Sequence, residues 1–270
     1  MSKTIIFIHG AWMSAACWDG FQSYFAERGY TTLAPAWPLR DAPVAALRAN
    51  PPAELAHLGA EDILDHYTRI IQAQAEPPIL IGHSFGGLFV QILLDRGLGA
   101  AGVAIDPAAP KGIITPPDAI RAASGVLLTW GFGHKIVHMT FEQFQFGFTN
   151  GLPLAIQQAA YDAYVVPESG HLFAQAIEAN LATHSPLTVN FHNPTRAPLL
   201  LTAGTHDHTV PQSQVEANYH KYHQTPARTD FQVFADRTHW LIKQDGWEEV
   251  AQFIEQWLIG VAQGTAATAQ

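Results

Sequence analysis

Six short apolar runs punctuate the chain: Thr4–Ile8, Thr31–Ala34, Ile79–Gly82, Gly102–Ile105, Pro198–Thr202 and Asp230–Phe234. Most are apolar without interruption, not alternately apolar and polar. An alternating strand hides one face from water; an uninterrupted one must be covered on both. Glycine, proline or aspartate flanks each run, where strands stop. Helical patterns fill the gaps at Trp18–Arg28, Ala53–Ala75, Phe85–Asp95, Gln212–His223 and Trp247–Leu258. In the last of these, Trp247, Val250, Ile254, Trp257 and Leu258 share one stripe at helical spacing. Strands alternating with helices predict an α/β domain around a largely parallel sheet.

One interval breaks the rhythm. Pro107–Ala197 is rich in Pro and Gly and has no strand–helix–strand alternation. It carries helix-like pieces at Asp118–Leu128, Phe141–Phe148 and Leu154–Tyr164. It reads as a helical insertion that divides a core formed by residues 1–106 and 198–261. Ala262–Gln270 has no periodicity and is expected to fray. The insertion is also poor in charge, with nine charged residues among 91, against 28 among the other 179.

Composition removes several function classes. A charged share of 14% with 48% apolar residues excludes a disordered chain. No apolar run reaches the roughly 18 residues of a membrane span. The net charge is −9 and no basic cluster exists, so nucleic acid is not an expected partner. Cys17 is the only cysteine, and the apolar run after Met1-Ser2-Lys3 is too short for a signal peptide. A cytoplasmic location is therefore expected.

The chemistry concentrates at the ends of three strand runs. Gly82-His83-Ser84-Phe85-Gly86 follows a strand and opens a helix. A nucleophilic serine on a tight strand-to-helix turn needs small residues on either side, which this spacing provides. Asp207 lies just past the fifth run, in Thr205-His206-Asp207-His208. His239 lies just past the sixth, in Asp236-Arg237-Thr238-His239-Trp240. Serine, acid and histidine in this order fit a nucleophile, a base and the acid that orients it. Asp106, after the fourth run, competes for the acid role. Donors for an oxyanion are expected from the Phe85 amide and from Ala11 in His9-Gly10-Ala11-Trp12, with Trp12 as the runner-up. His9 reads as a structural histidine holding that loop, and His83 points away from the role of base. His206 and His208 would project oppositely from a loop, and no metal site or cofactor is expected.

These features resemble the α/β-hydrolase superfamily. The match runs from residue 4 to about 260, and the His-Gly-Ala-Trp opening looks most like a branch of small esterases and hydroxynitrile lyases. The resemblance implies an α/β-hydrolase fold with a helical cap at residues 107–197. The chain starts at what would be the family's third strand, so about six strands are expected. A serine hydrolase acting on a small, hydrophobic carboxylic ester is implied. Lyase, lactonase, perhydrolase or acyltransferase chemistry on the same residues, or a non-catalytic small-molecule receptor, are its alternatives. A serine at this position argues against the dehalogenases and epoxide hydrolases, which use a carboxylate. Trp12, Trp130 and Phe132 are candidate substrate contacts. The aromatic-rich segment Trp130–Phe148 suggests an apolar lid.

Overall fold

The computed structural model describes residues 2–116 and 130–264. A single six-stranded sheet organises them. Its strands are β1 (Thr4–Ile8), β2 (Thr31–Leu33), β3 (Ile79–His83), β4 (Ala101–Ile105), β7 (Leu199–Gly204) and β8 (Thr229–Phe234). Their spatial order is β2-β1-β3-β4-β7-β8, and every pairing is parallel. All six predicted strands are present, with ends shifted by at most two residues. Every residue of β3, β4 and β7 is buried, whereas the edge strands β2 and β8 are half-covered. Uninterrupted apolar sequence thus marks the strands with a neighbour on both sides and helices on both faces.

Helices cover the two faces. They are α1 (Asp19–Ala26), α2 (Val44–Ala49), α3 (Ala60–Gln72), α4 (Phe85–Asp95), α8 (Gln212–Lys221) and α9 (Trp247–Ala262). α4 is the central one, and its residues from Phe85 to Leu94 are all buried. Its polar Gln91 is accommodated because Oε1 accepts hydrogen bonds from Asn218 (3.0 Å) and Tyr222 (2.9 Å). The α9 stripe buries Val250, Ile254, Trp257 and Leu258, and Trp247 packs on Phe21 at 5.3 Å. The predicted helix Ala53–Ala75 is split. A 3-10 turn at Ala53–His57 precedes α3, and Gly59 caps α3 by donating its N–H to Asp62 at 2.9 Å. α2 is too short to produce a periodic signal and was not expected.

The insertion leaves the sheet after β4 and returns at β7. It contains α5 (Phe141–Gly147), α6 (Leu154–Tyr164) and α7 (Gly170–Glu178). Between them β5 (Ile136–Val137) pairs antiparallel with β6 (Glu168–Ser169). The helices expected at Phe141–Phe148 and Leu154–Tyr164 are present; the piece at Asp118–Leu128 lies outside the described residues. The β5–β6 pair was missed because two-residue strands leave no pattern in sequence. At the C-terminus, α9 continues to Ala262, beyond its predicted end, and the rest of the expected tail after Gly264 lies outside the described residues. No described helix is long and apolar enough to cross a membrane.

Because all six strands run parallel, their C-terminal ends lie on one edge of the sheet. The strand order reverses between β1 and β3, which opens a crevice at that edge. Two glycines let the chain pass there. A Cβ on Gly86 would lie 2.0 Å from the Ile8 carbonyl oxygen, and one on Gly82 would lie 2.1 Å from the Gly86 carbonyl oxygen. Gly112, by contrast, has φ +94° and open space around it. Thermal or urea melts should therefore separate these positions. Gly86→Ala is expected to lose more than about 3 kcal/mol through backbone collision. Gly112→Ala should lose only about 1 kcal/mol of conformational strain. Equal losses would contradict the close-approach role of Gly86.

Candidate active site

Ser84 occupies the turn between β3 and α4. Its backbone is strained, at φ 56° and ψ −121°. A serine rarely holds positive φ unless its surroundings enforce it. Here the Ser84 N–H donates to the Ile105 carbonyl at 3.0 Å, and the Ser84 carbonyl accepts from Leu88 (3.1 Å) and Ala108 (3.0 Å). Gly10 backs the turn; a Cβ there would stand 2.8 Å from the Ser84 Cβ. Ser84 is 5% exposed. It also stands at the N-terminus of α4, where the helix dipole favours negative charge.

Asp207 and His239 meet across the loops after β7 and β8. His239 Nδ1 lies 2.6 Å from Asp207 Oδ2, and both side chains are fully buried. The other carboxylate oxygen, Oδ1, accepts the N–H groups of Thr209 and Val210, each at 2.7 Å. A carboxylate held this way can only accept from His239, so Nδ1 carries the proton and Nε2 keeps its lone pair. That Nε2 is buried and has no hydrogen-bond partner among the described residues. Burial lowers the His239 pKa to about 3, which keeps the ring neutral. His83, beside Ser84, is not placed as the base. Its Nε2 donates to the His239 carbonyl at 2.9 Å, and its ring lies 4.5 Å from the His239 ring.

Asp106 is brought to the same cluster. It is fully buried, with φ 42°, and its Oδ2 accepts the Gly204 N–H at 3.3 Å. Ligand-type atoms of Asp106, Asp207 and His239 all lie within 4.8 Å of one another. Two buried carboxyls this close cannot both ionise cheaply. Burial first, then the Asp207 charge, holds the Asp106 carboxyl well above the carboxylate range. Burial also pushes Asp207 up to about 7, opposed by its hydrogen bonds from Asp106, Val210 and Thr209. Burial and the Asp207 charge thus favour the protonated form of Asp106, while Asp207 is the carboxyl bonded to the histidine.

The loop after β1 is held from both sides. His9 has both ring nitrogens engaged: Nδ1 donates to the Gly10 carbonyl (2.9 Å), and Nε2 accepts the Trp37 N–H (3.1 Å). Burial, reinforced by the Arg40 charge, lowers its pKa to about 3. His9 thus has the structural geometry expected of it. The Trp12 N–H donates to Glu168 Oε2 at 3.2 Å, so the runner-up oxyanion donor is already committed. The Ala11 N–H has no acceptor among the described residues. The Phe85 N–H opens α4, where no intrahelical acceptor exists.

The aromatic surroundings differ in part from expectation. Trp12 is buried and stacks on Phe173 at 5.1 Å, while Phe85 meets the same ring edge-on at 5.7 Å. Phe148 abuts His239 at 4.7 Å. Neither Phe173 nor Phe148 is among the candidate substrate contacts, although Phe148 ends the aromatic-rich segment Trp130–Phe148. Phe132 is partly buried in a short turn against α7. Trp130 is 89% exposed, which is not the position of a pocket wall. Lys135 Nζ donates to the Trp130 carbonyl, and Lys111 Nζ donates to the carbonyls of Ala182 and Thr183. His206 and His208 diverge, the first toward Asp236 and the second to the Phe146 carbonyl.

This fold and this strand-end cluster have counterparts in known proteins. Residues 5–253 match the model of the alpha/beta hydrolase family, and the chain belongs to that family. A pyrethroid hydrolase of Sphingobium wenxiniae is 37% identical over 93 residues, 33% of this chain and 29% of that protein. The matching stretch therefore spans less than a third of that relative. Among solved structures, a monoacylglycerol lipase of Paleococcus ferrophilus superposes with a TM-score of 0.67 at 20% identity, covering 96% of this chain and 94% of its own. A pyrethroid hydrolase of Sphingobium faniae superposes with a TM-score of 0.66 at 18% identity, covering 97% and 100%. The last two likenesses are likenesses of fold.

The carboxyl pair has a thermodynamic signature. Unfolded Asp106 ionises near 3.8, whereas the folded protein retains its proton well above that. The stability this contributes is complete below about pH 4 and is lost as pH rises. Asparagine mimics the protonated acid and escapes that loss. Melting curves should therefore show Asp106→Asn gaining on the wild type between pH 4 and pH 8, by at most about 1.4 kcal/mol per pH unit. A difference that stays constant over this range would rule out a protonated Asp106.

Proposed function

We propose that this protein is a serine hydrolase that cleaves a carboxylic ester of a small, largely hydrophobic substrate. One observation carries the reading: a buried His239 is bonded to Asp207 at 2.6 Å with its Nε2 unpaired, and its ring lies 4.5 Å from that of His83, the residue before Ser84 on the strained strand-to-helix turn. In this mechanism His239 Nε2 takes the Ser84 hydroxyl proton as Oγ attacks the acyl carbon. Asp207 fixes the tautomer and stabilises the imidazolium that forms. The Ala11 and Phe85 amides hold the oxyanion. His239 returns its proton to the departing alkoxide. Water, deprotonated by the same nitrogen, then releases the acid. No metal or cofactor takes part in these steps.

The substrate class is read from the aromatic rings of Trp12, Phe85, Phe148 and Phe173, which favour an apolar acyl or alcohol group. The insertion at 107–197 acts as the cap that carries two of these rings, Phe148 and Phe173. Family membership and the ester-hydrolase and lipase neighbours support the same class of reaction. The positions of Lys111 and Lys135, bonded to carbonyls of the insertion, favour ester hydrolysis over cyanohydrin cleavage, which usually employs a lysine at the pocket.

The test uses p-nitrophenyl butyrate. Ser84→Ala should lower kcat/KM by at least ~10³-fold, and a fluorophosphonate should label Ser84 in the wild type. Asp207→Asn should lower kcat by a comparable factor, roughly 10²–10⁴, by favouring the wrong histidine tautomer. Near-normal turnover in Ser84→Ala would overturn the assignment.

A further inference from the structure

The insertion reaches into the oxyanion loop through a residue that the mechanism does not use. Glu168 is fully buried, in β6, and its carboxylate is completely engaged. Oε2 accepts the Trp12 N–H at 3.2 Å, Oε1 accepts the Ser169 N–H at 2.7 Å, and Oε1 also contacts the Arg40 guanidinium. Arg40 is 2% exposed and stands over the Trp37 ring, which itself stacks on His9. The neighbouring backbone adds two more ties. Val166 N–H donates to the Trp12 carbonyl at 2.8 Å, and Ser14 N–H donates to the Tyr164 carbonyl at 3.3 Å. Residues 12–14 and 164–166 therefore run as an antiparallel strip, with a bridge between Met13 and Val165.

Both polar groups of the Trp12 backbone are thus held by the insertion. Trp12 has φ 68°, a conformation that a large side chain rarely adopts without enforcement. Its N–H lies one peptide unit beyond the Ala11 N–H. If Trp12 relaxed to negative φ, the Ala11–Trp12 peptide plane would turn, and the preceding amide would lose its fixed direction. An oxyanion donor acts only when it is aimed in advance. The burial of two opposite charges merely to hold one loop is costly; both carboxylate oxygens are bonded, whereas Arg40 Nε and Nη1 have no hydrogen-bond partner among the described residues.

We propose that Glu168 is a positioning residue for the oxyanion site. Its carboxylate, anchored by Arg40, locks Trp12 in the left-handed conformation and so aims the Ala11 N–H at the reacting carbonyl oxygen. The insertion is then part of the catalytic frame as well as the wall of the pocket. This inference rests on the serine-hydrolase reading above.

Removing Glu168 alone would strand a buried Arg40 charge, so the test uses paired variants. Arg40→Met/Glu168→Leu removes both charges and the acceptor for Trp12. Arg40→Met/Glu168→Gln removes both charges but keeps an amide oxygen as acceptor. With p-nitrophenyl butyrate, the leucine pair should lose roughly 10–100-fold in kcat, with KM within about twofold and the pH profile unchanged. The rate of Ser84 labelling by a fluorophosphonate should fall in parallel. The glutamine pair should recover to within about threefold of the wild type. A cooperatively melting leucine pair with wild-type kcat would overturn the proposal, as would equal losses in both pairs. If the leucine pair does not fold, Glu168→Asp is read instead. It keeps the charge and withdraws the acceptor by one methylene, so a kcat loss of at least about fivefold is expected and an unchanged kcat overturns the proposal. Turnover by Ser84→Ala, or failure of the wild type to label, overturns the parent reading and this one with it. A dead Ser84→Ala beside a fast leucine pair overturns this inference alone.

Discussion

The close approach of the β3–α4 turn to the end of β1 is the constraint on which the rest of the site depends. Gly86 lies so near the Ile8 carbonyl that no side chain fits between them, and Gly82 lies as near Gly86. Only with these two positions bare can α4 start directly behind the sheet edge. Ser84 is then forced to positive φ and held there by Ile105 and Ala108. Its strain is sustained by the burial of α4 and of the central strands around it. A surface loop could not maintain that geometry, because nothing would oppose its relaxation.

A second layer of constraint is electrostatic. Asp106, Asp207 and His239 share a volume from which water is excluded. Three ionisable groups in such a place cannot all be charged. Burial favours a proton on Asp106, Asp207 is the acceptor for His239 Nδ1, and the imidazole stays neutral with its Nε2 unpaired. Asp106 is thus not the carboxyl bonded to His239, nor is it an isolated turn residue. It conditions the acid beside it through a short-range contact that its position, after a different strand, did not advertise.

The insertion contributes on two fronts. Phe148 packs on His239, and Phe173 packs on Trp12 and Phe85. Glu168 and the strip at 164–166 grip the loop after β1. Its low charge follows from these contacts, since most of its aromatic side chains face the core. The charges it does retain are not all on the surface: Glu168 and its partner Arg40 are among the most buried polar residues of the chain. Trp130 is the exception among the aromatics and is exposed.

The amino-acid sequence by itself determined the sheet, the order of its strands along the chain and the three strand-end residues Ser84, Asp207 and His239. These are written in local patterns: uninterrupted apolar runs, a glycine-flanked serine, and polar residues just past strand ends. It also led to the expectation of Ala11 before Trp12 as an oxyanion donor. Only the tertiary structure decided that the Trp12 N–H is spent on Glu168, that Asp106 sits against Asp207, and that Phe148 packs on His239 and Phe173 on Trp12 and Phe85 while Trp130 is exposed. Each of those contacts joins segments tens of residues or more apart, and short-range periodicity carries no record of which side chains meet when distant segments pack. Burial then converts such meetings into chemistry, because proton affinities and hydrogen-bond strengths change most where water is absent.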